Sequence, residues 1–350
     1  MADDMDRWYI SKNYKNLTQA GNKAKTDVEQ IMAGLGFRNA GLPRTTVRNK
    51  VAGFFITLAG VIKAPFCWRK GDLVVLQYPL KKYYSFLCRM ARRRGCRVVT
   101  LIHDLGSFRR QKLTVEEEIR RLNRSHYIIA HNDSMKRWLV AQGCRAEVGC
   151  LEIFDYLSPE ANRTVRKAEP PYGVVYAGAL SPRKNNFLYR LGEYIQSYRF
   201  VLYGSGFEPD KAQRSERFDY RGFIPSDRLI VEAEGHFGLV WDGAEIDTCS
   251  GNFGEYLQYN NPHKTSLYLR CGLPVIIWDK AALAPFVRQN GIGLTVSSLA
   301  DIEGCLARLS PQEYAAMVDR VKEVGERLAA GYYFGKAIAE AQRALYPAGT

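Results

Sequence analysis

This 350-residue sequence lacks the short motifs that most often announce a chemistry. It has no GxxxxGK followed by Ser or Thr, which removes the common phosphate-cradling loop of ATP- and GTP-binding proteins. It has no GxSxG and no HExxH, so neither a nucleophile elbow nor a zinc-protease helix is expected. Its five histidines stand without close cysteine or histidine neighbours, which argues against a zinc site. Eight cysteines include no CxxC pair. Several of them, such as Cys271, stand in apolar runs and read as small reduced core residues of a cytosolic protein. The first eight residues are acidic and polar with no apolar segment behind them, so a secretory signal is not expected. The longest apolar stretch, 51–62, falls far short of the roughly 20 residues a spanning helix needs.

What is present is the composition of a globular protein, 46% hydrophobic and 25% charged. The length suits about two domains, each able to bury its own core. Charge is placed unevenly. Residues 1–157 carry 28 Lys and Arg against 14 Asp and Glu, a net of +14, whereas 158–350 carry 22 of each sign. A basic half asks for an anionic partner: nucleic acid, a membrane surface or a phosphorylated substrate. Solubility alone is the plainer explanation. No helix-turn-helix, RNP or zinc-finger pattern is present, so nucleic acid is not the expected partner.

Hydrophobic periodicity gives two rounds of strand and helix. In the first, strands are expected at 7–11, 72–78, 96–102 and 126–130, and helices at 23–35, 45–63, 81–94, 115–123 and 133–142. Between 154 and 172 the pattern lapses into a charged, proline-containing linker. In the second round, strands are expected at 173–177, 198–203, 219–223, 236–241, 273–277 and 293–296. Helices at 185–195, 226–234, 281–289, 299–308 and 311–329 lie between or after them, and a last helix covers 332–346. Strands separated by helices at this spacing imply parallel sheets covered on both faces, hence two Rossmann-like α/β domains. The helix at 45–63, flanked by Arg44, Arg48, Lys50 and Lys63, would suit a membrane surface. Packing on the sheet or on a second subunit would suit it equally.

The second round is organised around residues 260–277. Asn261 is a helix cap, Pro262 suits the first turn, and Gly272 ends a short helix before a buried strand. A helix start carries free N–H groups and partial positive charge, so it can receive a phosphate. His263, Lys264, Thr265 and Ser266 add a cation and hydroxyls there. Two glycine loops follow the first and second strands of the same half. One holds Gly178 with Arg183 and Lys184, the other Tyr203, Gly204 and Gly206. The second resembles the start of GxGxxG but ends in Pro209 and follows the wrong strand for a dinucleotide site.

These pieces, with others in the first half, resemble the GT-B glycosyltransferases. The resemblance is to a bacterial branch holding glucosyltransferases of serine-rich adhesin glycans and galactofuranosyltransferases. It rests on the run from Ala20 to Ala24, Ile102-His103-Asp104 with Arg109, Ile129 to Asn132 with Met135, the 176–184 loop and 261–264. It covers nearly the whole chain. It implies two facing Rossmann-like domains with a cleft between them: 1–157 for the acceptor, a linker at 158–171, and 172–331 for a UDP-sugar, with helix 332–350 crossing back. It also implies no required metal and no cofactor beyond the UDP-sugar donor. Residues 261–264 stand where many retaining members begin an acidic signature, which implies inversion, and inversion needs a base. His103 and Asp104 end a first-half strand where such a base would face the acceptor. Thr18, Gly21, Asn22 and Lys23 are expected to meet that acceptor. The expected function is transfer of glucose or galactofuranose from a UDP-sugar to a glycan, glycoprotein or lipid-linked acceptor. The work would be cytoplasmic, with peripheral membrane contact and self-association expected. The alternatives are a silent glycan- or nucleotide-binding scaffold and, last, a nucleic-acid binder.

Overall fold

The computed structural model describes residues 5–15, 20–80, 83–108 and 113–347. The chain divides into two compact units, Met1–Asp155 with Gly331–Thr350, and Tyr156–Ala330.

In the first unit the elements run β1 (Arg7–Tyr9), α1 (Ala20–Gly34), β2 (Arg38–Asn39), α2 (Lys50–Cys67), β3 (Leu73–Tyr78), α3 (Tyr83–Arg93), β4 (Arg97–Ile102), α4 (Val115–Leu122), β5 (Tyr127–Ala130), α5 (Asp133–Ala141) and β6 (Glu147–Cys150). Six parallel strands pair in the order β2-β1-β3-β4-β5-β6. Every residue of β3 and β5 is buried, which is why they read as unbroken apolar runs in the sequence. The edge strands β2 and β6 escape that reading, because β2 is two residues long and β6 is Glu, Val, Gly and Cys. Helix α1 is described from Ala20, three residues before the expected start, so Gly21 and Asn22 lie in its first turn with Lys23 rather than in the preceding loop. Helix α2 starts later than expected, where Asn49 accepts hydrogen bonds from Val51 N and Ala52 N. It then runs through Pro65 to Cys67. That corrects the expectation of a short apolar stretch: this is one helix of 18 residues, long and apolar enough to cross a membrane by length and composition.

The second unit holds β7 (Gly173–Ala179), α6 (Leu188–Leu191), β8 (Arg199–Ser205), β9 (Phe218–Tyr220), α7 (Ser226–Glu232), β10 (Phe237–Val240), α8 (Gly251–Gly254), α9 (His263–Arg270), β11 (Val275–Trp278), α10 (Ala284–Asn290), β12 (Gly293–Val296), α11 (Asp301–Arg308) and α12 (Pro311–Ala329). The last helix, α13 (Tyr332–Leu345), belongs to the first unit. The second sheet is also parallel, in the order β12-β11-β10-β7-β8-β9. Its strand order reverses between β7 and β10, the place where open α/β sheets bind ligands outside their carboxyl ends. In the first sheet the reversal falls between β1 and β3.

The helix expected at 185–195 is only one turn, α6, followed by a 3-10 turn over Gly192–Tyr194. A Cβ at Gly192 would lie 2.0 Å from Gln213 O, so another backbone crosses where a longer helix would stand. The charged segment 158–171 lies along the second unit. Asn162 Nδ2 donates to Ile230 O, and the Arg166 guanidinium donates to Gly235 O, Ala233 O and Cys271 O.

Candidate active site

At the carboxyl edge of the second sheet the strand ends are tied together by buried side chains. Tyr189 Oη donates to Leu180 O at 2.8 Å and to Gly206 O at 3.3 Å, and it accepts from Glu208 N at 3.1 Å. One tyrosine of α6 therefore staples the loop after β7 to the loop after β8. Leu180 N donates to Ser205 O at 2.9 Å, closing the same pair of loops. Gly204 has φ +147°, and a Cβ there would lie 1.8 Å from Gly178 O, so only glycine lets the two strands stay paired at this edge. Gly178 is different. A Cβ there would meet nothing within 4 Å, so its backbone borders open space.

Beside that opening, α9 packs on β10 through Tyr268, whose ring would collide with any Cβ at Gly238. Tyr268 Oη accepts from Ala177 N at 2.8 Å. The packing sets the start of α9 against the ends of β7 and β10. Lys264 Nζ donates to Asp242 Oδ1 at 2.9 Å, Tyr176 Oη at 3.0 Å and Trp241 O at 3.4 Å, and it stands 4.4 Å from the Tyr176 ring centre. Both side chains of the Lys264–Asp242 pair are 14% exposed. Burial alone would push the Asp242 carboxyl up, but the Lys264 and Lys184 ammonium groups outweigh it and hold it below the usual carboxylate range. Lys184 Nζ sits 5.7 Å from the Phe253 ring of α8, and Arg183 is exposed in the turn after β7. Lys184, Arg183 and the start of α9 bring further positive charge to this edge.

Not every expected residue reaches this edge. Helix α9 begins at His263, with Pro262 before it at ψ 125°, so Pro262 occupies the cap position expected of Asn261 and supplies no side-chain acceptor. Asn261, Thr265 and Ser266 are buried. His263 stacks on Tyr156, ring centres 4.8 Å apart. The Tyr203 ring is buried, and its hydroxyl accepts from Glu234 N at the amino end of β10. The cluster at the open edge is therefore Gly178, Gly204, Gly206, Arg183, Lys184 and Lys264, with Asp242, Tyr176 and Tyr189 as their supports. Asp242 was legible in principle, as an acid two residues beyond a buried strand.

In the first unit His103 and Asp104 follow β4, as the sequence places them. His103 Nε2 lies 2.7 Å from Gln77 Oε1, and Gln77 Nε2 donates to Lys25 O at 3.2 Å. That second bond turns the Gln77 carbonyl oxygen towards the imidazole, which assigns the proton to His103 Nε2. The His103 ring stacks on Phe154 at 5.4 Å. Asp104 is half-buried, and the backbone beyond it is pinned by Glu118, which accepts from Gly106 N, Ser107 N and Ser107 Oγ. His131 is buried, bonds Ile102 O through Nε2, and has its imidazole pushed down to about 3 by burial, so it is neutral. Lys23 forms an ion pair with Asp27 at 2.5 Å. A Cβ at Gly21 would meet nothing within 4 Å among the described residues. Thr18 and Arg109 lie outside the described residues. Among the described residues no group of three or more His, Cys, Asp or Glu forms a metal site.

Two family models match the chain: Glucosyltransferase 3-like, N-terminal domain, over residues 7–153, and Glucosyltransferase 3-like, C-terminal domain, over 174–341. The β-1,6-galactofuranosyltransferase WbbI of Escherichia coli is 34% identical over 273 residues, covering 77% of this chain and 78% of that protein. Glucosyltransferase 3 of Streptococcus gordonii is 24% identical over 284 residues, covering 77% and 79%. Among solved structures, the lipopolysaccharide outer core galactosyltransferase WaaB matches with a TM-score of 0.61 at 13% identity, over 96% of this chain and all of that one. Anabaena HepE, solved with UDP-glucose, matches with a TM-score of 0.59 at 14% identity over 97% and 100%. The structural likenesses carry the fold, and the sequence matches carry the family. The chain is a GT-B glycosyltransferase of the Glucosyltransferase 3-like family.

Proposed function

We propose that the protein transfers a hexose, glucose or galactofuranose, from a UDP-sugar to a hydroxyl of a glycan, glycoprotein or lipid-linked acceptor, with inversion and without a required metal. The observation that carries this reading is the open, positively charged edge at the strand-order reversal of the second sheet. There Gly178 leaves room for a ligand against the backbone, and Arg183 and Lys184 can meet a diphosphate. Helix α9 starts beside the ends of β7 and β10, so the positive end of its dipole adds to this charge. The names of the two sequence relatives supply the candidate sugars.

In the step itself the acceptor oxygen bonds to the anomeric carbon as the bond from that carbon to the UDP oxygen breaks. The electron pair leaves with UDP, where the cations stabilise it. The acceptor proton passes to a base, and Asp104 is that base in this reading, with His103 beside it. UDP release should be measured with UDP-glucose, UDP-galactose and UDP-galactofuranose, with and without acceptor glycans. Acceptor-dependent release with one of the three is expected. If none of them is turned over or raises the melting temperature, the reading fails. Asp104→Asn should lower turnover by about 10²–10⁴-fold with UDP binding intact, whereas turnover within a few fold of the parent would move the base elsewhere.

A further inference from the structure

Helix α2 is built inside out. Its small residues Gly53, Gly60 and Ala64 are buried with Val61 and Pro65, while Val51, Phe55, Ile62 and Phe66 are 65, 59, 52 and 75% exposed. A helix that covers a core shows the opposite arrangement. Val51, Phe55, Ala59, Ile62 and Phe66 follow at spacings of four, four, three and four, which puts them on one face. The opposite face is seated tightly. A Cβ at Gly60 would lie 3.0 Å from Leu42 N, and one at Gly53 would lie 2.4 Å from Asn13 Nδ2. The helix is therefore held along the first unit, and a membrane meeting it would be met by its side rather than crossed end to end.

Charge decides what covers the stripe. No Asp or Glu stands between Glu29 and Asp72, while Arg48 and Lys50 lie at the start of α2, Lys63 near its end, and Arg69 and Lys70 just beyond, all exposed. Lys70 packs against Gly95, which follows α3. From there Arg89, Arg92, Arg93 and Arg124, with Asn123, line an open pocket of about 450 Å³. A second copy laid on the stripe would bring these cations together with no acid of the same segment to answer them. An anionic lipid face answers both the apolar stripe and the cations around it.

We propose that α2 docks the protein on an anionic leaflet, with Val51, Phe55, Ile62 and Phe66 entering the headgroup boundary and the flanking cations meeting lipid phosphates. This stands independently of which sugar is transferred. The test is co-sedimentation of the full chain with vesicles of phosphatidylcholine alone and of equal phosphatidylcholine and phosphatidylglycerol. Binding is expected to the anionic vesicles and to weaken as salt shortens the Debye length from about 10 Å at 0.1 M to about 3 Å at 1 M. Phe55→Ser with Phe66→Ser should weaken it by about tenfold or more. Arg48→Glu with Lys50→Glu should abolish the preference for anionic lipid. All four side chains are exposed, so both variants should keep the circular dichroism and UDP-sugar turnover of the parent. Protein that stays in solution with both vesicle types overturns the proposal, as does equal, salt-insensitive binding to both. So does a dimer in light scattering that becomes a monomer in the phenylalanine variant, which would make the stripe a contact between copies.

Discussion

Single residues at the second sheet's edge divide into those that hold the edge together and those proposed to meet the donor. Lys264 and Asp242 are mostly buried and answer each other, so removing one strands the other. Lys264→Met should destabilise the second unit by about 3–5 kcal/mol, and adding Asp242→Leu should restore much of the loss. Arg183→Ala and Lys184→Ala should leave the melting temperature close to the parent's, and each should weaken UDP binding by about 1.5–3 kcal/mol. Thermal melts beside UDP titrations read the two effects apart. Equal UDP affinity in both alanine variants would take the diphosphate away from this turn.

Two buried carboxyls respond to pH with opposite sign. In Asp155, burial raises the pKa from 3.8 to about 7, against the pull of the Phe334 and Tyr333 N–H groups that it caps. The folded state thus holds a proton that the unfolded chain has released. Its contribution to stability is full below 3.8 and is lost as pH rises through about 7. In Asp242 the folded pKa is lowered, so its contribution is present above the unfolded value and lost as pH falls. Urea unfolding between pH 4 and 7 should show the first unit weakening as pH rises. Asp155→Asn should be weaker throughout, with a flatter slope. An unchanged slope would exclude Asp155 as the titrating group.

At the scale of elements, the second sheet is assembled by close backbone approaches that side chains would forbid. Gly204→Ala places a methyl 1.8 Å from Gly178 O, where β7 and β8 pair, and should leave the second unit unfolded. Gly178→Ala adds its methyl to open space at φ +153°, which costs backbone strain of about 1–3 kcal/mol but no collision. That variant should fold and, if the donor lies where proposed, bind UDP-sugar less well, because the methyl takes up space beside this backbone. Circular dichroism with a donor titration separates the pair. A folded Gly204→Ala protein would show that the edge can widen.

At the scale of the whole chain, the first unit is completed only after the second has been made. The chain leaves it at Asp155 and returns at Gly331. Helix α13 then packs on β5, β6 and α1, burying Tyr333, Phe334, Ala337, Ile338 and Ala341. Asp155 caps its first turn, and Tyr346 Oη donates to Gly71 O. Deleting 332–350 should therefore unfold the first unit and spare the second. Two-step thermal unfolding, or limited proteolysis that leaves a fragment close to 156–330, would show it. A deletion that melts as the parent does would make α13 dispensable. The sequence alone determined the class of each unit, because strands buried on both faces read as apolar runs whatever their neighbours are. Glycine and proline likewise marked where many helices stop. It also placed His103, Asp104, Lys264 and the glycine loops at strand ends, since a site at a carboxyl edge follows from local order. Only the tertiary structure decided the strand order and with it the reversal beside β7. It alone joined Lys264 to Asp242 and Tyr176, tied the Tyr203 hydroxyl to Glu234 N, buried Thr265, and left the large side chains of α2 outside. Those outcomes depend on contacts between residues distant in sequence, whose packing and charge no local pattern encodes.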